Sequence, residues 1–169
     1  KPNDELSVAQ RAGQLHRNFQ GYTTKPESDL IGFGVTAISM LKDVYVQNHK
    51  RLKDFYRAID ANELPIEKGV TLDQDDLIRR TIIMELMCQF QLTPEDIEEK
   101  YHLGFDLDFA SYFAQEKFQL RRLEADGLIR LAPNQIEVTP AGRLLIRNIA
   151  ATFDAYLSQQ PKRSFSRAV

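Results

Sequence analysis

Hydrophobic and polar positions divide the chain into a loosely alternating front and a longer back of helical period. "NDELSVAQRAG" predicts a short helix. Asn3 is its N-cap, Asp4 and Glu5 suit the positive end of the dipole, and Gly13 closes it in the left-handed conformation. "LHRNFQGYTT" alternates, ends in β-formers and stops at Lys25-Pro26, which predicts one strand or extended segment. "KPESDL" is a polar turn. "GVTAISM" has Val35, Thr36 and Ile38 without a helical stripe and predicts a buried strand.

From Asn48 the period changes. Leu52, Phe55, Tyr56 and Ile59 fall on one face of an amphipathic helix, which "ANELPIEKG" breaks. "TLDQDDLIRRTIIMELMCQF" predicts a second helix, acidic at its start and almost wholly apolar later, hence central to the core. "LTPEDI" supplies Thr93 as N-cap, Pro94 at the first helical position and an acid two residues on. "DLDFASYFAQEKFQLRRLEADG" predicts one helix with Phe109, Phe113, Leu120 and Leu123 inward, closed by Asp126-Gly127. "LIRLAPNQIEVT" reads as two short strands joined at Pro133-Asn134, and Thr139-Pro140 cap a last helix. The fold class is mainly α (α+β), and the order helix, short helix, helix, hairpin, helix over about 75–157 is that of a winged-helix module. The tail with Lys162, Arg163 and Arg167 reads as a mobile end.

Charge narrows the partners. Lys plus Arg number 22 against 24 Asp plus Glu in 169 residues, a formal charge of −2, so nothing draws the whole chain to nucleic acid or an anionic membrane. No apolar run approaches the ~20 residues of a membrane span. The lone Cys88 excludes an intramolecular disulfide and points to a reducing, cytoplasmic compartment. It also cannot hold an iron–sulfur cluster, which needs about four ligands. Within "IIMELMCQF" it reads as a core residue. The chain opens on Lys1-Pro2, with nothing like a signal peptide, and reads as a piece of something longer.

Candidate chemistry is sparse. Gly32, Gly34 and Ala37 in "IGFGVTAISM" match the spacing of a dinucleotide-binding turn, but a polar loop precedes them and a β-branched run follows. The glycines are expected instead to relieve a tight turn or admit a close backbone. Lys117, Arg121 and Arg122 on the candidate recognition helix share it with Glu116, Glu124 and Asp126. The helix before carries Glu95, Asp96, Glu98 and Glu99, which would repel phosphates, so a packing or protein-contact module is favoured over DNA binding. His16, His49 and His102 are too dispersed for a metal motif. No catalytic triad or carboxylate pair stands out. "HRNFQGYTT" gathers donors around aromatics, and Arg17 there suits a carboxylate in bidentate fashion.

"LHRNFQGYTT", "DLIGFGVTAISM", "YVQN", "LPIEKGVTLDQDDLIRR", "DGLI", "VTPAGRLLIRNI" and the terminal "FSR" closely resemble the C-terminal part of oxygen-independent coproporphyrinogen III oxidase, a radical S-adenosylmethionine family. The resemblance runs along essentially the whole chain. It implies an oxidoreductase of haem (porphyrin) biosynthesis, in which S-adenosylmethionine bound to a [4Fe-4S] cluster yields a 5′-deoxyadenosyl radical. That radical takes hydrogen from a propionate of coproporphyrinogen III; carbon dioxide leaves and a vinyl forms, twice, giving protoporphyrinogen IX. It also implies that residues 1–45 are the tail end of the catalytic barrel, its last β segments, and that 46–169 form a helical C-terminal domain. The metal-binding cysteines would lie upstream, so this piece alone is expected to be inactive and its parent to act as a monomer. Ile38 matches a family position that contacts S-adenosylmethionine, and Arg17 is expected to partner a propionate. The alternative is a winged-helix DNA- or protein-binding module.

Overall fold

The computed structural model describes residues 1–25, 28–103 and 108–157. The tail with Lys162, Arg163 and Arg167, the "FSR" motif, Pro26 and the start of the segment 106–127 lie outside them. The chain forms two compact units, Lys1–Ile78 and Arg79–Val169.

The first unit opens with α1 (Glu5–Arg11), and here Asp4, not Asn3, is the N-cap. Its carboxylate accepts from the Leu6 and Ser7 amides at 3.0 and 3.3 Å, which a side chain one residue earlier does not do. "LHRNFQGYTT" is not one strand. It folds back as a hairpin, β1 (His16–Asn18) on β2 (Gly21–Thr23). The Asn18 side chain accepts from the Gln20 amide at 2.8 Å to turn the chain, and Gly21 has φ +131°. β3 (Ile38–Leu41), β4 (Val44–Asn48) and β5 (Ile66–Thr71) form an antiparallel meander in that order. A two-residue turn joins β3 to β4, and β5 returns antiparallel to β4 after the helical segment 52–60; with three strands the expected barrel segments form no closed barrel among the described residues. Residues 45 and 46 are neighbours within β4.

The strand read over "GVTAISM" begins only at Ile38, because Gly34 (φ +94°) and Thr36 (φ +61°) cannot continue an extended chain. β4 and β5 escaped the sequence reading, since "YVQN" and "IEKGVT" lack a strict alternation. α2 (Leu52–Asp60) has the expected amphipathic spacing, but Leu52, Tyr56 and Ile59 are all exposed.

α3 (Gln74–Gln89) runs across the boundary between the units. Ile78, Ile82 and Leu86, at helical i, i+4, i+8 spacing, are buried almost completely, each contributing about 2 kcal/mol of apolar burial. In the second unit a short strand β6 (Gln91–Leu92) leads to α4 (Pro94–Tyr101), where Thr93 is the N-cap but makes no side-chain capping bond. The single helix expected over 106–127 is two: α5 (Phe109–Tyr112) and α6 (Lys117–Ala125). The break buries Phe113 and turns Glu116 onto Arg79 at 2.8 Å. β7 (Ile129–Ala132) and β8 (Gln135–Val138) form the expected hairpin, and β6 adds to β8. The last helix is also divided, into α7 (Pro140–Leu144), α8 (Ile146–Ala150) and a 3₁₀ turn (Ala151–Phe153), because Leu145 leaves helical geometry at φ −114°, ψ 23°. Phe109, Phe113 and Phe153 meet at centroid separations of 4.7 to 6.4 Å and form the aromatic centre of this unit.

Candidate functional site

Ile38 begins β3 directly after the glycine loop, and that loop is built around it. A Cβ on Gly32 would stand 2.7 Å from the Ile38 carbonyl oxygen; only glycine lets these two backbones approach so closely. Gly34 takes the other role expected of the pair, a positive-φ turn. Polar groups of the meander hold the loop from below. The Ser39 hydroxyl accepts from the Gly32 amide at 3.0 Å, and the Asn48 side-chain amide donates to the Gly34 carbonyl at 2.9 Å. The Asn48 backbone amide donates to the Ala37 carbonyl at 2.9 Å, and the Thr36 amide to the His49 carbonyl at 3.0 Å. Ser39 and Asn48 are buried. The sequence reading singled out neither, although both stand inside quoted motifs, "GFGVTAISM" and "YVQN".

Antiparallel partners share a sheet face, so the pairs Ile38–Gln47 and Met40–Tyr45 line one side of the meander. Onto Tyr45 of that side packs Phe19, edge-on at 5.4 Å. Phe19 is in the turn of the β1–β2 hairpin, which therefore approaches the face carrying Ile38. Arg17 lies on β1 opposite Tyr22, with its guanidinium carbon 5.1 Å from the ring centroid. Stacking holds a planar cation in place without neutralising it, and Arg17 has no ion pair with a carboxylate among the described residues. The structure thus gathers the two residues singled out from sequence into one unit, on neighbouring sheets: an apolar side chain, half-buried, and a stacked cation.

Cofactor donors are few. Cys88 is buried, and one cysteine cannot supply the roughly four thiolates of an iron–sulfur cluster. Among the described residues no cluster of three or more His, Cys, Asp or Glu stands ready for a metal ion. No described helix is long and apolar enough to cross a membrane. On α6, Lys117, Arg121 and Arg122 are exposed beside Phe118 and Glu124, and the Glu124 carboxylate is occupied by the Leu131 amide at 2.8 Å. The Asp108 carboxyl is held below its ordinary range by the Ser111 hydroxyl and amide, aided by Lys117.

Residues 72–145 match the family model of the HemN C-terminal domain. The chain is 65% identical over 170 residues to a Synechocystis protein named oxygen-independent coproporphyrinogen III oxidase, a match covering 100% of this chain and 36% of that one. A Thermostichus vulcanus protein of the same name is 55% identical, with 100% and 51% covered. A solved structure, described as "Coproporphyrinogen III oxidase (HemN) from Escherichia coli is a Radical SAM enzyme", superposes with a TM-score of 0.86 at 49% identity, covering 92% of this chain and 35% of that one. The chain therefore spans about a third to a half of the length of these relatives. Matched over its whole length and containing the HemN C-terminal domain, the chain corresponds to the C-terminal part of the proteins named oxygen-independent coproporphyrinogen III oxidase.

Proposed function

We propose that this chain serves, as part of a longer polypeptide, in the oxidative decarboxylation of two propionates of coproporphyrinogen III to vinyls. The observation that carries the reading is the 65% identity along the entire chain to a protein named for that oxidase. S-adenosylmethionine with its [4Fe-4S] cluster would supply the radical that removes hydrogen from the propionate. This chain's residues orient and exclude. Ile38 offers an apolar wall to the cofactor, at a depth fixed by the Gly32 approach, and that donor-free side chain fits a hydrophobic contact and nothing ionic. Arg17 pairs with a substrate carboxylate while the Tyr22 ring holds the planar guanidinium in place.

The second unit we read as a winged-helix-like module that makes protein contacts. Helix, strand and helices are followed by a hairpin whose β8 pairs with β6, and acidic side chains border its basic ones. The parent acts as a cytoplasmic monomer without nucleic acid. The test is anaerobic turnover of coproporphyrinogen III by full-length protein. Ile38→Asp is expected to keep its iron content and lose turnover; unchanged activity would refute the assignment of Ile38.

A further inference from the structure

We propose that Asn48 is a positioning residue that sets where Ile38 stands, and through it the affinity for S-adenosylmethionine. The inference rests on the reading of Ile38 as a cofactor contact.

Asn48 grips the Gly34–Ala37 turn at both ends. Its side-chain amide donates to the Gly34 carbonyl at 2.9 Å, and its backbone amide to the Ala37 carbonyl at 2.9 Å. The turn closes on itself only weakly, the Ala37 amide reaching the Gly34 carbonyl at 3.4 Å. Gly34 and Thr36 both hold positive φ; glycine takes it freely, but β-branched Thr36 keeps it only where surroundings enforce it. Asn48 is thus the stronger bond on the strained turn that delivers the chain into Ile38.

The local sheet geometry serves the same end. Pairing of β4 with β5 slips between Gln47 and Asn48: Gln47 faces Lys68, but Asn48 faces Ile66. Such a bulge re-aims the side chain at its end. Glu67, left over by the slip, accepts from the Lys50 amide at 3.0 Å and fixes the distortion. Asn48 is buried, so water is poorly placed to replace its amide. Losing that donor leaves the Gly34 carbonyl with only the long bond from the Ala37 amide and loosens the turn, and Ile38 moves with it.

The experiment uses the full-length enzyme carrying this sequence, cluster-loaded and anaerobic, and measures S-adenosylmethionine binding by calorimetry with iron, sulfide and circular dichroism as controls. Asn48→Ala is expected to weaken binding roughly tenfold, the scale of one lost buried hydrogen bond, with cluster content unchanged. Ile38→Ala is expected to weaken it similarly, and the double variant little further than the worse single one. A merely structural Asn48 gives additive losses, and additivity overturns the proposal. Full affinity in Asn48→Ala with reduced affinity in Ile38→Ala overturns it too, leaving the cofactor reading of Ile38 intact. Full affinity in Ile38→Ala refutes that reading and the proposal together. If Asn48→Ala does not fold, Asn48→Asp keeps the shape, removes the donor and is judged by the same outcomes.

Discussion

The Arg79 guanidinium lies 2.8 Å from the Glu116 carboxylate, both side chains mostly buried, at the point where a continuous helix was expected to run. The same nitrogen donates to the Phe153 carbonyl at 3.2 Å, and the guanidinium stands 5.2 Å from the Phe113 ring centroid. One cation thus joins α3, the turn before α6 and the 3₁₀ turn. Removing one partner of a buried pair leaves an uncompensated charge. Arg79→Ala is therefore expected to lower the stability of the second unit by about 3 kcal/mol, measured by urea denaturation followed by circular dichroism. Arg79→Leu combined with Glu116→Leu should cost less than either change alone. The exposed Arg130–Glu137 pair at 3.3 Å is the contrast; Arg130→Ala should cost under about 0.5 kcal/mol. Equal losses at the two sites would contradict this account.

Gly142 is buried where the last helices meet the hairpin. A Cβ there would lie 2.0 Å from the Leu128 carbonyl oxygen, inside any permitted contact. The Gly142 amide is also fixed, donating to the Thr139 hydroxyl at 3.1 Å, while that hydroxyl approaches the Gly127 and Leu128 carbonyls. Backbone must move to admit a methyl. Gly142→Ala is expected to destabilise the second unit by roughly 2 kcal/mol or more, as overpacking against unyielding atoms does. A thermal midpoint matching that of the unchanged chain would show that the turn yields.

Asp108 caps α5, its carboxylate accepting from the Ser111 amide at 2.7 Å. The Ser111 hydroxyl and then the Ser111 amide favour the charged form; burial opposes them, Lys117 adds a lesser favourable effect, and the carboxyl is held below its ordinary 3.8. A carboxyl lowered on folding stabilises above its unfolded value, and that contribution fades as pH falls through the lowered value. The stability gap between the unchanged chain and Asp108→Ala should thus be full at neutral pH and narrow in acid below about 4. Carbon NMR titration should find the carboxyl low, and Ser111→Ala should raise it. An Asp108 carboxyl titrating in the ordinary range would sink the argument.

How much the sequence disclosed follows from the range of the forces involved. The acids that open "TLDQDDLIRRTIIMELMCQF" and its apolar second half announced α3, and Thr139-Pro140 announced α7, because composition and caps are local. The breaks at Glu116 and Leu145 are not local. They depend on Arg79 and on the packing around Phe153, which no window of contiguous residues contains. The hairpin was read as one strand because Gly21 and the Asn18 turn bond are legible only once a reversal is suspected. At the site, Ile38 and Arg17 came from resemblance and local chemistry. Ser39 and Asn48 had only the weak signal of short polar residues in otherwise apolar strands, and their partners, Gly32 and Gly34, lie seven and fourteen residues away.

The two units differ in what they bury. Among the described residues, the buried apolar side chains of Lys1–Ile78 are Ala9, Leu15 and Ile78, while those of Arg79–Val169 include Ile82, Leu86, Phe113, Ile129, Ile149 and Phe153. The first unit leaves Phe33 at 90%, Leu64 at 79% and Leu52 at 58% exposed. Strands with so little beneath them open at low free energy. In the chain alone, amides of β1 through β4 are expected to exchange at least about a hundredfold faster than those of the α3 segment around Ile82 and Leu86, a gap of roughly 3 kcal/mol. The measurement is native-state hydrogen exchange by mass spectrometry or NMR. In the full-length protein the gap is expected to shrink, as it would if further polypeptide packs on those exposed side chains. Protection of residues 16–48 equal to that of α3 in the isolated chain would mean that the front folds without such cover, through its backbone ladders and the Ser39 and Asn48 bonds alone.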